Sequence, residues 1–180
     1  MGNRKLSILE LHRLSAEEYS RVEKLPLAVV LDDVRSLHNV GSVFRTADAF
    51  RVERICLCGI TASPPQAEIH KTALGAEFTV DWTYHHSALE AVSELKTLGY
   101  ILLSVEQTEG SVMLDKLNLR ADTHYAIVFG NEVKGVKQEV IDLCDGCIEI
   151  PQFGTKHSLN VSVAAGIVIW EMNRLMGRKL

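Results

Sequence analysis

Three short polar segments of this 180-residue chain carry the residue types that could bind a ligand or perform chemistry. The first runs from Asn39 to Thr46 and contains Gly41 and Arg45. Its apolar residues recur at positions 40, 43, 44 and 47, which is the spacing of one buried helix face. At about 100° per residue, Arg45 falls on the opposite face. We therefore expect a solvent-facing cation there, with Asn39 able to cap the helix and Gly41 able to permit close backbone approach.

The second segment is Gly130-Asn-Glu132-Val-Lys-Gly135, directly after the apolar run YAIVF. Two glycines flanking one acidic residue are found in ordinary strand-to-helix turns that carry a solvated Glu. The same arrangement would also hold the backbone open for a flat ligand. The segment by itself favours neither interpretation.

The third segment passes from Ile150 and Pro151 through Gly154 to Ser158 and Asn160. Proline cannot continue a strand ladder, so a strand should end at Pro151. Ser158 is the residue type of a helix N-cap, and we expect the last helix to begin there. Capping explains Ser158 and leaves Asn160 unexplained.

The elements that must position these segments alternate between apolar runs and helical patterns. We predict a helix over 7–25, with a capping box formed by Ser15 and Glu18. The predicted strands are 27–32, 54–60, 78–82, 100–105, 125–130 and 147–150, and the further helices are 39–51, 87–98, 136–143 and 158–176. Continuous apolar strands that alternate with helices predict an α/β fold, with a mostly parallel sheet covered on both faces. Ligands of such sheets bind at the carboxyl ends of the strands, where the three segments lie.

Composition limits the possible partners. The net charge is −4, which does not indicate nucleic-acid binding, but residues 1–71 hold 10 Lys/Arg against 9 Asp/Glu, and residues 72–180 hold 9 against 14. An RNA-binding face would therefore be a local patch. There is no run of 18 apolar residues and no signal-peptide pattern, so we expect no membrane partner and a cytoplasmic location.

Four cysteines could in principle form a zinc site from Cys56-x-Cys58 and Cys144-x-x-Cys147. The first pair lies in an apolar run that predicts a buried strand. The second pair leads from a helix into a strand, which is the reverse of the thioredoxin-type order. Reduced and buried thiols are the favoured interpretation, and we predict no metal.

Together, the three segments resemble the three motifs of the SpoU (TrmH) branch of the SPOUT superfamily. The matching patterns are Asn…Gly…Arg, Phe-Gly-Asn-Glu-x-x-Gly and Ile-Pro…Gly…Ser-Leu-Asn-Val-Ser-Val-Ala, in the same order and at strand ends. The resemblance covers about residues 27–175. One departure is Gln152, where many relatives carry Met. Residues 68–76 resemble a further family segment near the substrate site, although a plain short helix and turn explains them equally well.

The resemblance implies an RNA ribose 2′-O-methyltransferase that uses S-adenosyl-L-methionine and whose C-terminal segment forms a trefoil knot. The implied cofactor-binding residues are Val105, Glu106, Phe129, Gly130, Gly135, Ile150, Gln152, Ser158 and Leu159. The implied active-site residues are Asn39, Arg45, Glu132, Ser158 and Asn160, and the residues that would contact RNA are Arg35, Arg45, His70 and Lys71. The domain division would be a helical extension over 1–26 and a catalytic domain over 27–180.

The resemblance also implies a homodimer in which the 158–176 helix contacts the partner. Its predicted interface residues are Val161, Ala164, Ala165, Val168 and Met172, although a lone domain could cover that face with its own sheet. We expect tRNA rather than rRNA as substrate, because the 26 residues before the first predicted strand are too few for an RNA-binding domain. A basic tail of Arg174, Arg178 and Lys179 could add phosphate contacts.

Two alternatives compete with this interpretation. A Rossmann-type enzyme would carry Gly-x-Gly-x-x-Gly after the first strand, and this chain does not. A non-catalytic RNA-binding protein of the same fold would have no need of Arg45, Glu132, Ser158 and Asn160 together. For the enzyme, we expect Arg45 to stabilise negative charge on the reacting oxygen, because guanidinium groups, with a pKa above about 12, are poor bases.

Overall fold

The computed structural model describes residues 2–7 and 9–177, with the side chain of Leu9 left aside. Within them, one seven-stranded sheet has the order β3-β2-β1-β6-β4-β7-β5, and every pairing is parallel. The strands are β1 Leu25–Asp32, β2 Val52–Cys58, β3 Asp81–His85, β4 Ile101–Val105, β5 Val112–Met113, β6 Tyr125–Phe129 and β7 Gly146–Glu149. The α/β class and the parallel sheet are thus confirmed.

The helices are α1 Ala16–Arg21, α2 Leu37–Ala49, α3 Ala67–Ala73, α4 Ala88–Thr97, α5 Gln138–Ile141 and α6 Val161–Leu175. Short 3₁₀ turns lie at Leu9–Leu11, Ala76–Phe78 and Leu114–Lys116. In the described part of the chain, no helix has the length and apolar content needed to cross a membrane.

Alternating residues of β1 divide the core into two layers. Leu27, Val29 and Leu31 face a cluster that includes buried residues of α2, α3 and α6. Ala28 and Val30 face the other cluster, to which α4 and α5 contribute. All five residues are fully buried, as expected for a strand covered on both faces.

The N-terminal prediction is only partly confirmed. Ser15 and Glu18 form the predicted capping box, but α1 covers only Ala16–Arg21 and not 7–25. Strand β1 begins at Leu25, two residues before the predicted start. Tyr19 of α1 is buried in the core, so this segment packs against the sheet. The division of the chain at residue 26 stays a prediction.

The apolar face of α6 that we assigned to a dimer interface is buried within the chain itself. Val161, Ala165, Val168 and Met172 belong to the core, and Ala164 packs against it. That interface prediction is therefore wrong, because α6 packs against α2 and presents this face to its own domain. A second apolar stripe of α6 remains exposed: Val163, Ile167 and Trp170.

The start of α6 also differs from the prediction. Asn160, not Ser158, is the N-cap, and its side-chain oxygen accepts the backbone N–H groups of Ser162 at 2.9 Å and Val163 at 3.4 Å. At the start of α2 the cap is Ser36, whose hydroxyl oxygen accepts the N–H of Asn39. Asn39 is thus three residues inside the helix and is not its cap.

These caps give a direct test. Asn160→Ala should lower the free energy of unfolding by about 1 kcal/mol, because two N–H groups lose their acceptor. Ser158→Ala is the matched control and should stay within about 0.5 kcal/mol of the wild type. Urea unfolding followed by circular dichroism measures both. A larger loss for Ser158→Ala would contradict the observed start of α6.

Candidate functional site

A cleft of about 510 Å³ lies at the carboxyl ends of β4, β6 and β7. The loops after these strands form its walls. All nine residues expected to bind a cofactor line it: Val105, Glu106, Phe129, Gly130, Gly135, Ile150, Gln152, Ser158 and Leu159. The structure therefore brings the loops after β4, β6 and β7 together around one space, at the end of the sheet where parallel strands place ligands.

The loop after β6 folds back on itself, and its two glycines make this possible. The backbone of Asn131 exchanges hydrogen bonds with that of Gly135, N–H to oxygen at 3.1 and 2.9 Å. A Cβ atom on Gly130 would lie 2.1 Å from the carbonyl carbon of Gly135. Gly135 itself has a φ of +69°, in the left-handed region that favours glycine. Asn131 accepts the N–H groups of Val133 and Lys134, which completes the turn.

Glu106 joins the loop after β4 to the loop after β6. One carboxylate oxygen accepts the N–H of Val136 and the other that of Gln107, both at 3.0 Å. Each oxygen keeps a lone pair for a ligand, because a carboxylate oxygen accepts two hydrogen bonds. With Glu132 and Glu149 also at the wall, the cleft offers acceptors beside apolar surface. These carboxylates suit a ligand that carries hydroxyl groups, amino groups and positive charge.

Glu132 connects the second segment to the first. Its carboxylate accepts the N–H groups of Arg35 at 3.1 Å and Ser36 at 3.2 Å, and the Asn39 side-chain amide at 3.1 Å. Burial alone raises the pKa of Glu132. The hydrogen bonds from backbone N–H groups and from Asn39 outweigh burial and lower the pKa below its ordinary value. The residue is thus held as a carboxylate at the N-terminus of α2.

Asn160 connects the third segment to the same network. Its amide nitrogen donates to the side-chain oxygen of Asn39 at 3.1 Å, while its oxygen caps α6. A continuous chain of hydrogen bonds therefore runs from Glu132 through Asn39 to Asn160. This arrangement supplies the role for Asn160 that the sequence pattern left open.

The remaining predicted active-site residues are placed differently. Arg45 is exposed on α2, off the buried face as predicted, and makes no hydrogen bond or ion pair with any described residue. It does not line the cleft. Ser158 lines the cleft and likewise has no hydrogen-bond partner in the part of the chain described. Both side chains are therefore free to contact a ligand.

The predicted RNA contacts other than Arg45 lie in the loop before α2 and on α3. The backbone of Arg35 is held by Glu132, and its side chain is exposed. His70 and Lys71 belong to α3, where the His70 Nδ1 lies 2.5 Å from the Glu77 carboxylate. Helix α3 packs so closely on α2 that a Cβ on Gly41 would lie 2.3 Å from the Ile69 carbonyl oxygen. Gly41 thus permits close approach of a helix, not of a ligand.

Two further links were missed by the sequence analysis. Lys137 Nζ lies 2.8 Å from Asp33 and 3.3 Å from Asp32, which ties the end of β1 to the loop after β6. The hydrogen bond to Asp33 raises the pKa of Lys137, and burial raises that of Asp32. The Gln107 side chain donates to the carbonyl oxygen of His157 at 3.0 Å. In the sequence, only the adjacent carboxylates Asp32 and Asp33 at the end of a predicted strand indicated the link to Lys137.

The two cysteine pairs cannot share a metal ion. Cys56 and Cys58 are in β2 and Cys147 is in β7, with three strands between them. At roughly 4.8 Å per strand, the pairs are on the order of 19 Å apart. Burial raises the pKa of Cys144 to about 12. Within residues 2–7 and 9–177, no His, Cys, Asp and Glu side chains form a group suited to a metal ion.

Comparison with known proteins gives consistent matches. Residues 26–170 match the model of the SpoU rRNA Methylase family. The chain is 33% identical over 149 residues to the 23S rRNA (guanosine-2′-O-)-methyltransferase RlmB of Neisseria meningitidis, covering 83% of this chain and 58% of that protein. The chain spans about three fifths of the length of the curated relatives it matches.

Two solved structures have similar folds. An AdoMet-bound rRNA methyltransferase from Sinorhizobium meliloti is 26% identical, with a TM-score of 0.77, over 86% of this chain and 61% of that one. A structure described as giving insights into 2-OH methylation of C/U34 on tRNA is 27% identical, with a TM-score of 0.74. There the match covers 84% of this chain and 97% of the other.

The charge on Glu132 gives a test of the network. Glu132→Gln should lower the free energy of unfolding at pH 7 by about 1 kcal/mol, since three donors lose an ionised acceptor that is partly exposed. Because the folded-state pKa is lowered, the difference from the wild type is complete above the ordinary value of 4.5. It should vanish as the pH falls through the lowered pKa.

Urea unfolding at pH 7, 5 and about 3 measures this difference. Glu109→Gln is the control, because Glu109 is exposed and has no hydrogen bond or ion pair with a described residue. A Glu132→Gln penalty that persists unchanged in acid would show that the carboxylate charge plays no part.

Proposed function

Since the chain belongs to the SpoU rRNA Methylase family, we propose that it transfers the methyl group of S-adenosylmethionine to a ribose 2′-hydroxyl of RNA. The observation that carries the proposal is the hydrogen-bonded chain Glu132–Asn39–Asn160 beside the cleft. It joins the three motif segments at one place. A non-catalytic RNA-binding protein would not require all three to meet.

The cleft fits the proposed cofactor. When bound, S-adenosylmethionine supplies an activated methyl group on a positively charged sulfur, so no metal is required. Glu106 would accept hydrogen bonds from the hydroxyl or amino groups of the cofactor, and Gly130 and Gly135 keep the wall free of side chains. The loop after β7 would hold the cofactor from the other side, through Ile150, Gln152, Ser158 and Leu159. Support also comes from the related rRNA enzyme, which was solved with AdoMet bound.

The chemical roles follow from which side chains are engaged and which are free. Glu132 and Asn39 are occupied in holding the N-terminus of α2 and act as positioning residues. Arg45 and Ser158 have no described partner and are available to the RNA. Arg45 would contact a phosphate and stabilise negative charge on the 2′-oxygen as its proton leaves to phosphate or water. Ser158 would orient the ribose.

We propose tRNA as the favoured substrate. Support comes from the structure described as giving insights into methylation on tRNA, which is 27% identical to this chain and is matched over 97% of its length. In the two rRNA methyltransferases compared above, about two fifths of the chain lies outside the match. The basic tail contributes less than expected, because Arg174 pairs with Glu171. Arg178 and Lys179 lie outside the described residues.

We further propose that the chain is knotted at its C-terminal segment and that it forms a homodimer. The exposed residues Val163, Ile167 and Trp170 have the i, i+4, i+7 spacing of one helix stripe, and Trp170 is 53% exposed. An apolar stripe opposite the buried face of α6 suits a second copy of the chain. It replaces the interface that we first predicted.

Cofactor binding is tested at Gly130, where the loop after β6 has no room for a side chain. Gly130→Ala should weaken binding of S-adenosylmethionine at least about 30-fold, because the added methyl group collides with backbone and must displace the loop. Gly154→Ala is the control in the third loop, where a Cβ meets no atom within 4 Å. Calorimetry with a metal chelator present measures both variants. A strict need for metal in the wild type would contradict the proposal.

The transfer reaction is tested with Arg45→Ala. The variant should lose at least about 100-fold in methylation rate while its affinity for the cofactor stays near that of the wild type, because only the RNA and the reacting oxygen lose a contact. Arg120→Ala is the control, since Arg120 precedes β6 and lies at the amino ends of the strands, away from the cleft at their carboxyl ends. Labelled cofactor is given with tRNA or with rRNA from cells that lack the gene. Label in rRNA alone would refute the tRNA preference, and unchanged turnover would remove Arg45 from the reaction.

The dimer is tested with Trp170→Asp, which should give a monomer by light scattering because it places a charge in the apolar stripe. Leu98→Asp is the control, because Leu98 is equally exposed at the end of α4 and should leave the oligomeric state unchanged. A wild-type protein that is monomeric and fully active would rule the dimer out.

A further inference from the structure

The rim of the cleft exposes apolar side chains that a single copy of the chain leaves in solvent. Phe153 is 97% exposed, more than any other large apolar side chain in the described residues. It directly follows Gln152, which lines the cleft. Val133, on the loop across the cleft, is 79% exposed and is itself part of the lining.

The loop that carries Phe153 is anchored at both ends. It follows the end of β7 at Glu149 and enters α6 at the cap residue Asn160. Between them, the His157 carbonyl oxygen accepts a hydrogen bond from Gln107, on the loop after β4. The phenyl ring therefore projects from a segment whose position relative to the cleft is fixed on both sides.

Isolated exposed apolar residues are common on proteins, so exposure alone does not indicate a ligand. The charges around Phe153 are more informative. Lys134, Lys156 and His157 are exposed in the same two loops, and none forms an ion pair with a described carboxylate. The two loops that line the cleft thus carry cations without an ion-pair partner among the described residues, and one of these loops also carries the exposed ring.

We propose that Phe153 stacks on an unpaired base of the RNA, at or beside the nucleotide that is methylated, while Lys134 and Lys156 contact its phosphates. Aromatic side chains bind single-stranded RNA in this way, because every base presents a flat face. The inference rests on the proposed function and adds to it a substrate in which the target region is unstacked.

A second copy of the chain is the other possible occupant of this rim. In a symmetric dimer the same rim would meet itself and bring Lys134 and Lys156 close to their own copies. That repulsion disfavours the contact, whereas RNA is complementary in charge. The uncharged stripe Val163, Ile167 and Trp170 is the better surface for a second copy.

Binding of a labelled RNA measures the stack directly. The probes are a single-stranded RNA of roughly 12 nucleotides and a duplex of the same sequence, followed by fluorescence anisotropy. Phe153→Ala should weaken single-strand binding about tenfold and leave duplex binding unchanged. Phe153→Trp should bind like the wild type, and Phe153→Leu like Phe153→Ala, because stacking needs a ring. Leu98→Ala is the control for truncating an exposed apolar side chain.

Methylation kinetics and calorimetry complete the experiment. Phe153→Ala should raise KM for the RNA with kcat changed less than about threefold, and should bind S-adenosylhomocysteine like the wild type. If Phe153→Leu binds single-stranded RNA with full affinity, the side chain makes a simple apolar contact and does not stack. A changed oligomeric state by light scattering would assign the ring to a second copy. Either result overturns the inference, as does an unchanged KM in an active enzyme.

The failure of the proposed function has a different signature. A wild-type protein that methylates neither tRNA nor rRNA removes the proposed function. If single-strand binding still depends on Phe153 in that case, the stacking site stands as an RNA-binding site. If it does not, both proposals fall.

Discussion

The site depends on one carboxylate, that of Glu132, whose negative charge is stabilised by hydrogen-bond donors where the three motif segments meet. Glu132 lies at the N-terminus of α2, where backbone N–H groups without a helical partner and the helix dipole favour an anion. Its charge can remain there because Arg35, Ser36 and Asn39 donate to it. In return it fixes the position of α2, and hence the side from which Arg45 projects. A neutral amide in the same space would accept these hydrogen bonds more weakly.

The sheet and the place of the site were predictable because both follow from local patterns. Continuous apolar strands alternating with helices indicate parallel pairing, and parallel strands bring polar loops to one edge. The strand order β1-β6-β4-β7 was not predictable, since it depends on packing between distant segments. The wrong prediction of Ser158 as the cap of α6 has the same cause, because the choice of cap depends on a contact between distant segments. Ser and Asn cap helices about equally well, and contact with Asn39 is what selects Asn160.

Helix α6 shows a different limit of sequence patterns. It is apolar on two faces, so periodicity alone does not say which face packs on its own domain. Val161, Ala165, Val168 and Met172 are buried because small residues at 164 and 165 let α6 approach α2 closely. The larger side chains Ile167 and Trp170 are left outside. A single copy of the chain buries one of these two apolar faces and leaves the other exposed.

Net charge misleads about RNA because it averages over cations with different partners. Lys96, Lys137 and Arg174 are each paired with a carboxylate and add little attraction at a distance. Lys134 and Lys156 sit in the cleft loops, and neither forms an ion pair with a described residue. Phosphates respond to the local potential, and each unpaired cation that meets one releases a counterion. A protein of net charge −4 can therefore bind RNA at one edge while the rest of its surface repels it. Under the proposed function, that repulsion would confine the RNA to the end of the sheet where the cleft opens.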